Sequence, residues 1–327
     1  MRALVKISLI LTFVVIVLGA HARLTDAGLG CPDWPGCYGQ LTVPSLAHQV
    51  VVAETLWPDS PLETHKAWNE MIHRYAAGLL GLVILVIAIW SVVRARQHSI
   101  QPVKLPLALL ALVIFQAALG MWTVTMNLQP IVVMGHLLGG FATFSLLYLT
   151  LLRLKRVHLP LGDPGARKLG GIALLALLVV IGQIALGGWV AANYAALACT
   201  SLPICEGDWV ARLDIAGAFS VPEAVTYQYG AHDFNERMTM HVAHRIGAIV
   251  TILVVGLLLW RGYRNAQSQV IRSNLNLITL LLMLQVALGI SNIVFFLPLS
   301  IAVLHNAVGA LLLLSLVGLN YRIARNA

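Results

Sequence analysis

Four histidines stand in a repeating pattern. His73-Arg74 and His244-Arg245 are 171 residues apart, and His136 and His305 are 169 apart. Each lies near the start of an apolar run, and a histidine inside such a run is costly without a partner. A single one is most often a hydrogen-bonded packing residue, and a proton relay is a second alternative. A pair repeated at matching depth fits a different chemistry: two imidazoles on neighbouring helices that grip one haem iron from opposite faces. Zinc or copper would want a tighter cluster with cysteine or carboxylate. His241 and His244, three apart, give only a weak pattern of that kind.

The two halves of the pattern differ at one acid. Glu70 precedes His73 by three residues and shares its helix face. The matching place in the second half holds His241. A buried carboxylate beside a haem can move protons, whereas an acid near a helix start is also favoured simply by the dipole. The lopsidedness points to a reacting first half and a second half that stores and passes electrons. Arg74 and Arg245 directly follow two of the histidines, where a guanidinium could pair with a haem propionate or snorkel to the membrane edge. Two cysteine pairs, Cys31-Pro-Asp-Trp-Pro-Gly-Cys37 and Cys199-Thr-Ser-Leu-Pro-Ile-Cys205, have turn-forming residues between them. On an oxidising side they can form disulfides, as loop staples or as thiol-exchange pairs. His48, His65, His98, His158 and His232 fall in loops or at span ends and are expected to be solvated.

These residues need elements to hold them, and the composition says which. Of 327 residues, 59% are hydrophobic and only 10% charged, far below the quarter or so of a soluble domain. That excludes a soluble globular protein, a disordered chain and a nucleic-acid binder. Apolar runs fall at Ile7–Ala22, Tyr75–Val93, Leu105–Val124, Ile131–Leu152, Leu169–Ala192, Ile246–Trp260, Leu275–Leu297 and Ile301–Leu319, most of them long enough to span. The sixth is short, so its helix must begin earlier and take in Met240, His241 and His244. The ends of spans two, four, six and eight are expected to carry their histidines in the first turns. Fifteen of the 21 basic residues fall on one side of the eight spans, and every acid but Asp163 on the other side or at its edge. By the positive-inside rule the protein is a multi-pass protein of the cell's inner (plasma) membrane, with cytoplasmic termini and outward long loops, Arg23–Asn69 and Asn193–Thr239. Arg2, Lys6 and the small residues near Ala22 resemble a cleaved signal, but the fifth span fills the matching place in the second half.

Self-similarity extends beyond the histidines. Gly19, Cys31 and Cys37 match Gly187, Cys199 and Cys205 at 168, and Gln116-Ala-Ala-Leu-Gly120 matches Gln285-Val-Ala-Leu-Gly289 at 169. The expected fold is an all-α integral membrane protein of eight transmembrane helices, arranged as two pseudo-symmetric four-helix bundles related by a parallel repeat. Residues 1–155 form the reactive half, 156–168 a cytoplasmic linker and 169–327 the electron-relay half.

Arg23-Leu-Thr-Asp-Ala-Gly-Leu-Gly-Cys31-Pro-Asp-Trp-Pro-Gly-Cys37, Glu70-Met-Ile-His73-Arg74, His136, His244-Arg245 and His305 together resemble the haem A synthase family of bacteria and mitochondria. The resemblance implies oxidation of the C8 methyl of haem O to a formyl group by successive hydroxylations, which yields haem A for terminal oxidases. It implies haem O as substrate between His73 and His136, with Glu70 essential, and haem B between His244 and His305. It also implies pairing of Cys31 with Cys37 and Cys199 with Cys205. Haem O synthase, an unidentified electron donor and the bilayer are the implied partners, with a homo-oligomer left open. A di-haem cytochrome that only carries electrons shares the four histidines but does not need Glu70. A transporter would want helices broken mid-span, which the sequence lacks.

Overall fold

In the computed structural model the described residues are 1–96, 102–155 and 163–326. His98, Arg156, His158 and residues 156–162 of the expected linker lie outside them. The described residues form eleven helices: α1 (Arg2–Leu24), α2 (Ala47–Leu56), α3 (Thr64–Ala95), α4 (Lys104–Thr125), α5 (Pro130–Lys155), α6 (Pro164–Arg167), α7 (Gly170–Ala192), α8 (Ile215–Ala218), α9 (Phe234–Asn265), α10 (Gln269–Val294) and α11 (Leu299–Asn326). Among these residues there is no strand, only an isolated bridge between Cys37 and Gln40. Eight helices (α1, α3, α4, α5, α7, α9, α10 and α11) are long and apolar enough to cross a membrane. Within lipid a helix pairs its own backbone groups, which is why an apolar chain takes this form. The protein is an all-helical, multi-pass membrane protein.

The long helices depart from the apolar runs in an instructive way. α3 and α9 each have 32 residues, roughly 48 Å at the usual rise and well beyond roughly 30 Å of hydrocarbon. Their extra turns are polar and lie at the N-terminal ends. α9 starts at Phe234, ahead of Met240, His241 and His244, as the short sixth run requires. A capping box fixes that start: Asp233 accepts from the Glu236 N–H at 2.9 Å, and Glu236 accepts from the Asp233 N–H at 3.0 Å. The functional histidines are therefore deeper along their helices than the first turn. His73 is nine residues past the start of α3 and His244 ten past that of α9; His136 and His305 are each six in. His232 also departs from expectation. It is 5% exposed, with Nδ1 2.9 Å from Glu236 Oε2, because the capping carboxylate that starts α9 draws the ring in. His48 and His65 are exposed.

The chain folds into two compact units. The first comprises essentially residues up to Thr143, joined by Val221–Ala231; the second comprises Phe144–Ser220 and His232–Ala327. In the first, α3 packs on α4. In the second, α7 packs on α9 and α11, and α10 packs on the same two helices. α11 is the most enclosed span: 56% of its most apolar stretch is buried, against 17% for α4, α7 and α10. The duplication is visible in the backbone. Left-handed conformations recur at Asp26 and Tyr194, at Asn127 and Phe296, and at Leu128 and Leu297, in the turns that follow α1 and α7 and that join α4 to α5 and α10 to α11. Non-glycine residues rarely take that conformation, so its return at offsets of 168 and 169 is specific.

Val221–Ala231 belongs to the first unit although it lies between α8 and α9, in the second half of the chain. Asn127 holds it: its Nδ2 donates to the Val225 carbonyl at 2.9 Å, and its own carbonyl accepts from Tyr227 N–H at 3.0 Å.

Asp163, 1% exposed, gathers backbone donors from two segments of the second unit. Its carboxylate accepts from Ala166 at 2.9 Å, Gln267 at 3.0 Å and Ser268 at 2.8 Å. Burial alone would raise its pKa; the N–H groups of Ser268, Ala166, Gln267 and Gly165 outweigh it and hold the carboxyl below the usual aspartate value. A depressed folded pKa stabilises above the ordinary aspartate range, and that contribution is lost as pH falls through the folded value. Asp163→Ala leaves three N–H groups without their acceptor and should cost about 1–3 kcal/mol, read as a lower thermal midpoint at neutral pH. The gap from wild type should narrow in acid.

Candidate functional site

The first unit brings two of the predicted ligands together. The His73 and His136 rings have centroids 6.4 Å apart and planes 83° apart. Two imidazoles on one iron need roughly 6 Å: about 2 Å for each metal–nitrogen bond and about 1 Å more to each ring centre. α1 and α4 make room for the rings. A Cβ on Gly19 would lie 2.9 Å from His73 Cε1, and one on Gly120 would lie 3.4 Å from His136 Cε1. The second unit repeats both contacts, Gly187 with His244 at 3.0 Å and Gly289 with His305 at 3.2 Å. A side chain at Gly19 would displace the His73 ring, and one at Gly187 or Gly289 would press on its ring; at Gly120 it would meet His136 at contact distance.

Buried polar atoms without partners concentrate around these rings: Nδ1 of His73, His136 and His305, Nε2 of Gln116, and Oε1 of Gln183 and Gln285. Buried polar groups are almost always paired, so such a concentration calls for a ligand. All four histidines are only partly buried, which leaves ring edge available. This donor set, bis-imidazole in each unit with apolar surroundings, fits haem.

The N-terminal ends of α3 and α9 hold the cysteine loops. Cys31 and Cys37 are bonded, as are Cys199 and Cys205, with Cα atoms 4.8 and 5.0 Å apart. Glu70, 6% exposed, accepts from the Cys31 N–H at 2.9 Å and pairs with Arg74. Arg74 also donates to the carbonyls of Asp33, Pro35 and Gly36. In the second unit His241 takes the place of Glu70. Its ring stands 3.3 Å from the Cys199 N and 3.2 Å from Arg245 Nε, and Arg245 donates to the carbonyls of Cys199, Ser201 and Ile204. A carboxylate can accept from both such donors. A neutral imidazole has a single acceptor nitrogen and can serve only one at a time. Each guanidinium therefore already has four neighbours on its loop and helix, in the place where a propionate contact is expected.

Each loop has its own carboxylate lock. Asp33 accepts from Tyr38 and Gly39 N–H groups, both at 2.7 Å. Glu206 accepts from the Thr200 hydroxyl, from the Thr200 N–H at 2.8 Å and from the Ser201 N–H at 3.1 Å. Cys199, Cys205 and Glu206 lie within 4.8 Å of one another, but both sulfurs are in the disulfide, so no thiolate is free for a metal. The Thr200 hydroxyl first, and then the backbone donors, draw the Glu206 carboxyl down to about 2. With the folded pKa depressed, the lock is complete above the ordinary glutamate range and opens only as pH falls towards 2. Glu206→Ala should make Cys199–Cys205 several-fold faster to reduce with a small thiol, measured by mass-tagging of freed cysteines, with Cys31–Cys37 unchanged.

The profile of the cytochrome oxidase assembly protein family, COX15-CtaA, matches residues 2–317. The chain belongs to this family. Among its COX15-CtaA relatives, the "Heme A synthase" of Shewanella oneidensis is 53% identical over 320 residues, 97% of this chain and 95% of that protein. Those of Chelativorans sp. and Halalkalibacterium halodurans are 28% and 26% identical; the matches take in 96% of this chain in both cases, and 88% and 93% of the relatives. Within this COX15-CtaA chain, sequence reading located the histidines, Glu70 and the cysteines but passed over the residues around them. Gln116-to-Gly120 and Gln285-to-Gly289 were visible as a repeat, and only the fold reveals that their glycines admit the rings. Gln183 had no repeat partner to betray it, since the matching residue is Val15.

Proposed function

We propose that this chain is a haem A synthase that oxidises the C8 methyl of haem O to a formyl group by successive hydroxylations. The observation that carries this reading is the pairing of His73 with His136 at 6.4 Å on the same helix end as a fixed buried carboxylate, Glu70, in a chain 53% identical to a heme A synthase. Haem O is the substrate of the first unit. His73 and His136 grip its iron and fix the porphyrin. Glu70 is held by the Cys31 N–H and by Arg74, so its carboxyl stays at one place on α3, where it would pass protons as the methyl is oxidised. Arg74 anchors the disulfide loop that covers this end. Its remaining donor capacity, like that of Arg245, is what a propionate would meet.

The second unit takes haem B between His244 and His305. When bound there, haem B supplies one-electron transfer. His241 replaces the acid, so this unit has no carboxylate at the matching place and passes no proton to a methyl group. The basic residues put the termini on the cytoplasmic side of the inner membrane and the disulfide loops outside. Haem O synthase and an external electron donor complete the pathway.

Extraction of the pigments from purified protein tests the reading. Haem O or haem A beside haem B is the expected result. Haem B alone returns the chain to a di-haem electron carrier.

A further inference from the structure

The two units differ in how firmly they hold the histidine on their longest helix. α7 sets Gly187 against His244, as α1 sets Gly19 against His73. Four residues earlier, one turn along the same faces, stand Gln183 and Val15. Gln183 Nε2 lies 3.1 Å from His244 Nδ1 and donates to the His244 carbonyl at 2.9 Å. Val15 offers no such group. The His73 ring reaches only the Val15 backbone, and its Nδ1 is buried without a partner.

The other ligand differs in the same sense. His305 and His136 each reach the backbone of the corresponding glutamine, Gln285 or Gln116, but only Gln285 also brings its side chain to the ring, with Nε2 3.3 Å from His305 Nε2, while Gln116 Nε2 is without a partner. Both histidines of the second unit thus meet a glutamine side chain, and Gln183 is the one that has no counterpart in the first unit, where Val15 stands.

We propose that Gln183 is a positioning residue that makes the second unit retain its haem, and that Val15 at the matching place leaves His73 free to yield, so that the first unit can exchange substrate for product. This rests on the functional reading above and deepens it. The nitrogen of a ligating imidazole that faces away from the metal sets ring orientation and basicity through its hydrogen bond. An imidazole that binds metal through one nitrogen carries its proton on the other and needs an acceptor there; the Gln183 amide can supply it by turning Oε1, which is without a partner, toward the ring. Loss of such a partner typically costs about 10- to 100-fold in affinity. An enzyme whose substrate and product are both haems needs one loose site and one tight site. Exchange of substrate for product also needs a ligand able to move, and His73, with Val15 at the matching place, has no side-chain brace.

The test uses the full chain in detergent with apomyoglobin as haem acceptor. Gln183→Val should release haem B about 10- to 100-fold faster than wild type and shift its absorption bands and midpoint potential. Gln183→Glu, which keeps an acceptor at the ring, should restore slow release. Val15→Gln should slow the release of haem O and haem A from the first unit by about tenfold and leave haem B release unchanged. Wild-type release of haem B from Gln183→Val overturns the proposal. Should that variant fail to fold, unchanged haem O and haem A release from Val15→Gln overturns it instead. Wild-type protein that purifies with haem B alone counts against the functional reading, while the Gln183→Val comparison still decides the role of Gln183.

Discussion

Glu70→Gln should cut haem A formation by about 100-fold or more while haem B content stays at the wild-type level. Glutamine matches glutamate in shape and keeps a side-chain oxygen for the Cys31 N–H, which the carboxylate now serves at 2.9 Å. It removes the carboxyl oxygen that pairs with Arg74 and that can take and return a proton. Arg74 retains the carbonyls of Asp33, Pro35 and Gly36, so the loop stays attached. The measurement is haem extraction from cells that make haem O: substrate should accumulate on the protein and product should vanish. Haem A at wild-type yield would remove Glu70 from proton transfer and reduce it to a tie between α3 and the loop. Glu70→Ala is a weaker test, because it also leaves the Cys31 N–H without its acceptor and empties the space the side chain fills.

The second large effect separates the units. His244→Ala or His305→Ala should bring haem B below about a tenth of wild type, since each would remove one of the two imidazoles proposed to hold it. His73→Ala or His136→Ala should leave haem B in place and abolish retention of haem O. The contrast follows from the geometry: the rings of each pair belong to one unit, and each has its own glycine cradle. Reduced-minus-oxidised spectra of the four variants, with extracted haems identified by chromatography, read both halves at once. Equal loss of haem B in all four would mean that the pairs do not act separately.

Much of this was legible before any coordinates. Eight spans follow from length and hydropathy, and the histidines gave themselves away by returning at fixed offsets. Hydropathy failed where polarity and helix coexist. The runs that begin at Tyr75 and Ile246 belong to helices that begin at Thr64 and Phe234, because capping and loop contacts support turns that lipid does not. The same blindness made His232 look solvated, when a carboxylate four residues on shelters it. The clamp of Arg74 and Arg245 on loop carbonyls was also beyond reach, since backbone acceptors carry no sequence signature. His241 is the clearest gain. Spacing placed it opposite Glu70 without giving it a task, and the fold sets its ring beside the Cys199 N–H and Arg245.

The grip of Asn127 on Val225 and Tyr227 bears on the history of the molecule. Tandem copies that stay self-sufficient can be parted again by a stop codon and a new start. Here the later copy lends eleven residues, 221–231, to the earlier one, so a gene cut at the midpoint would encode a front piece with an unclothed turn. Borrowing of this kind makes the first unit depend on chain from beyond the midpoint, so no single cut parts the two units cleanly.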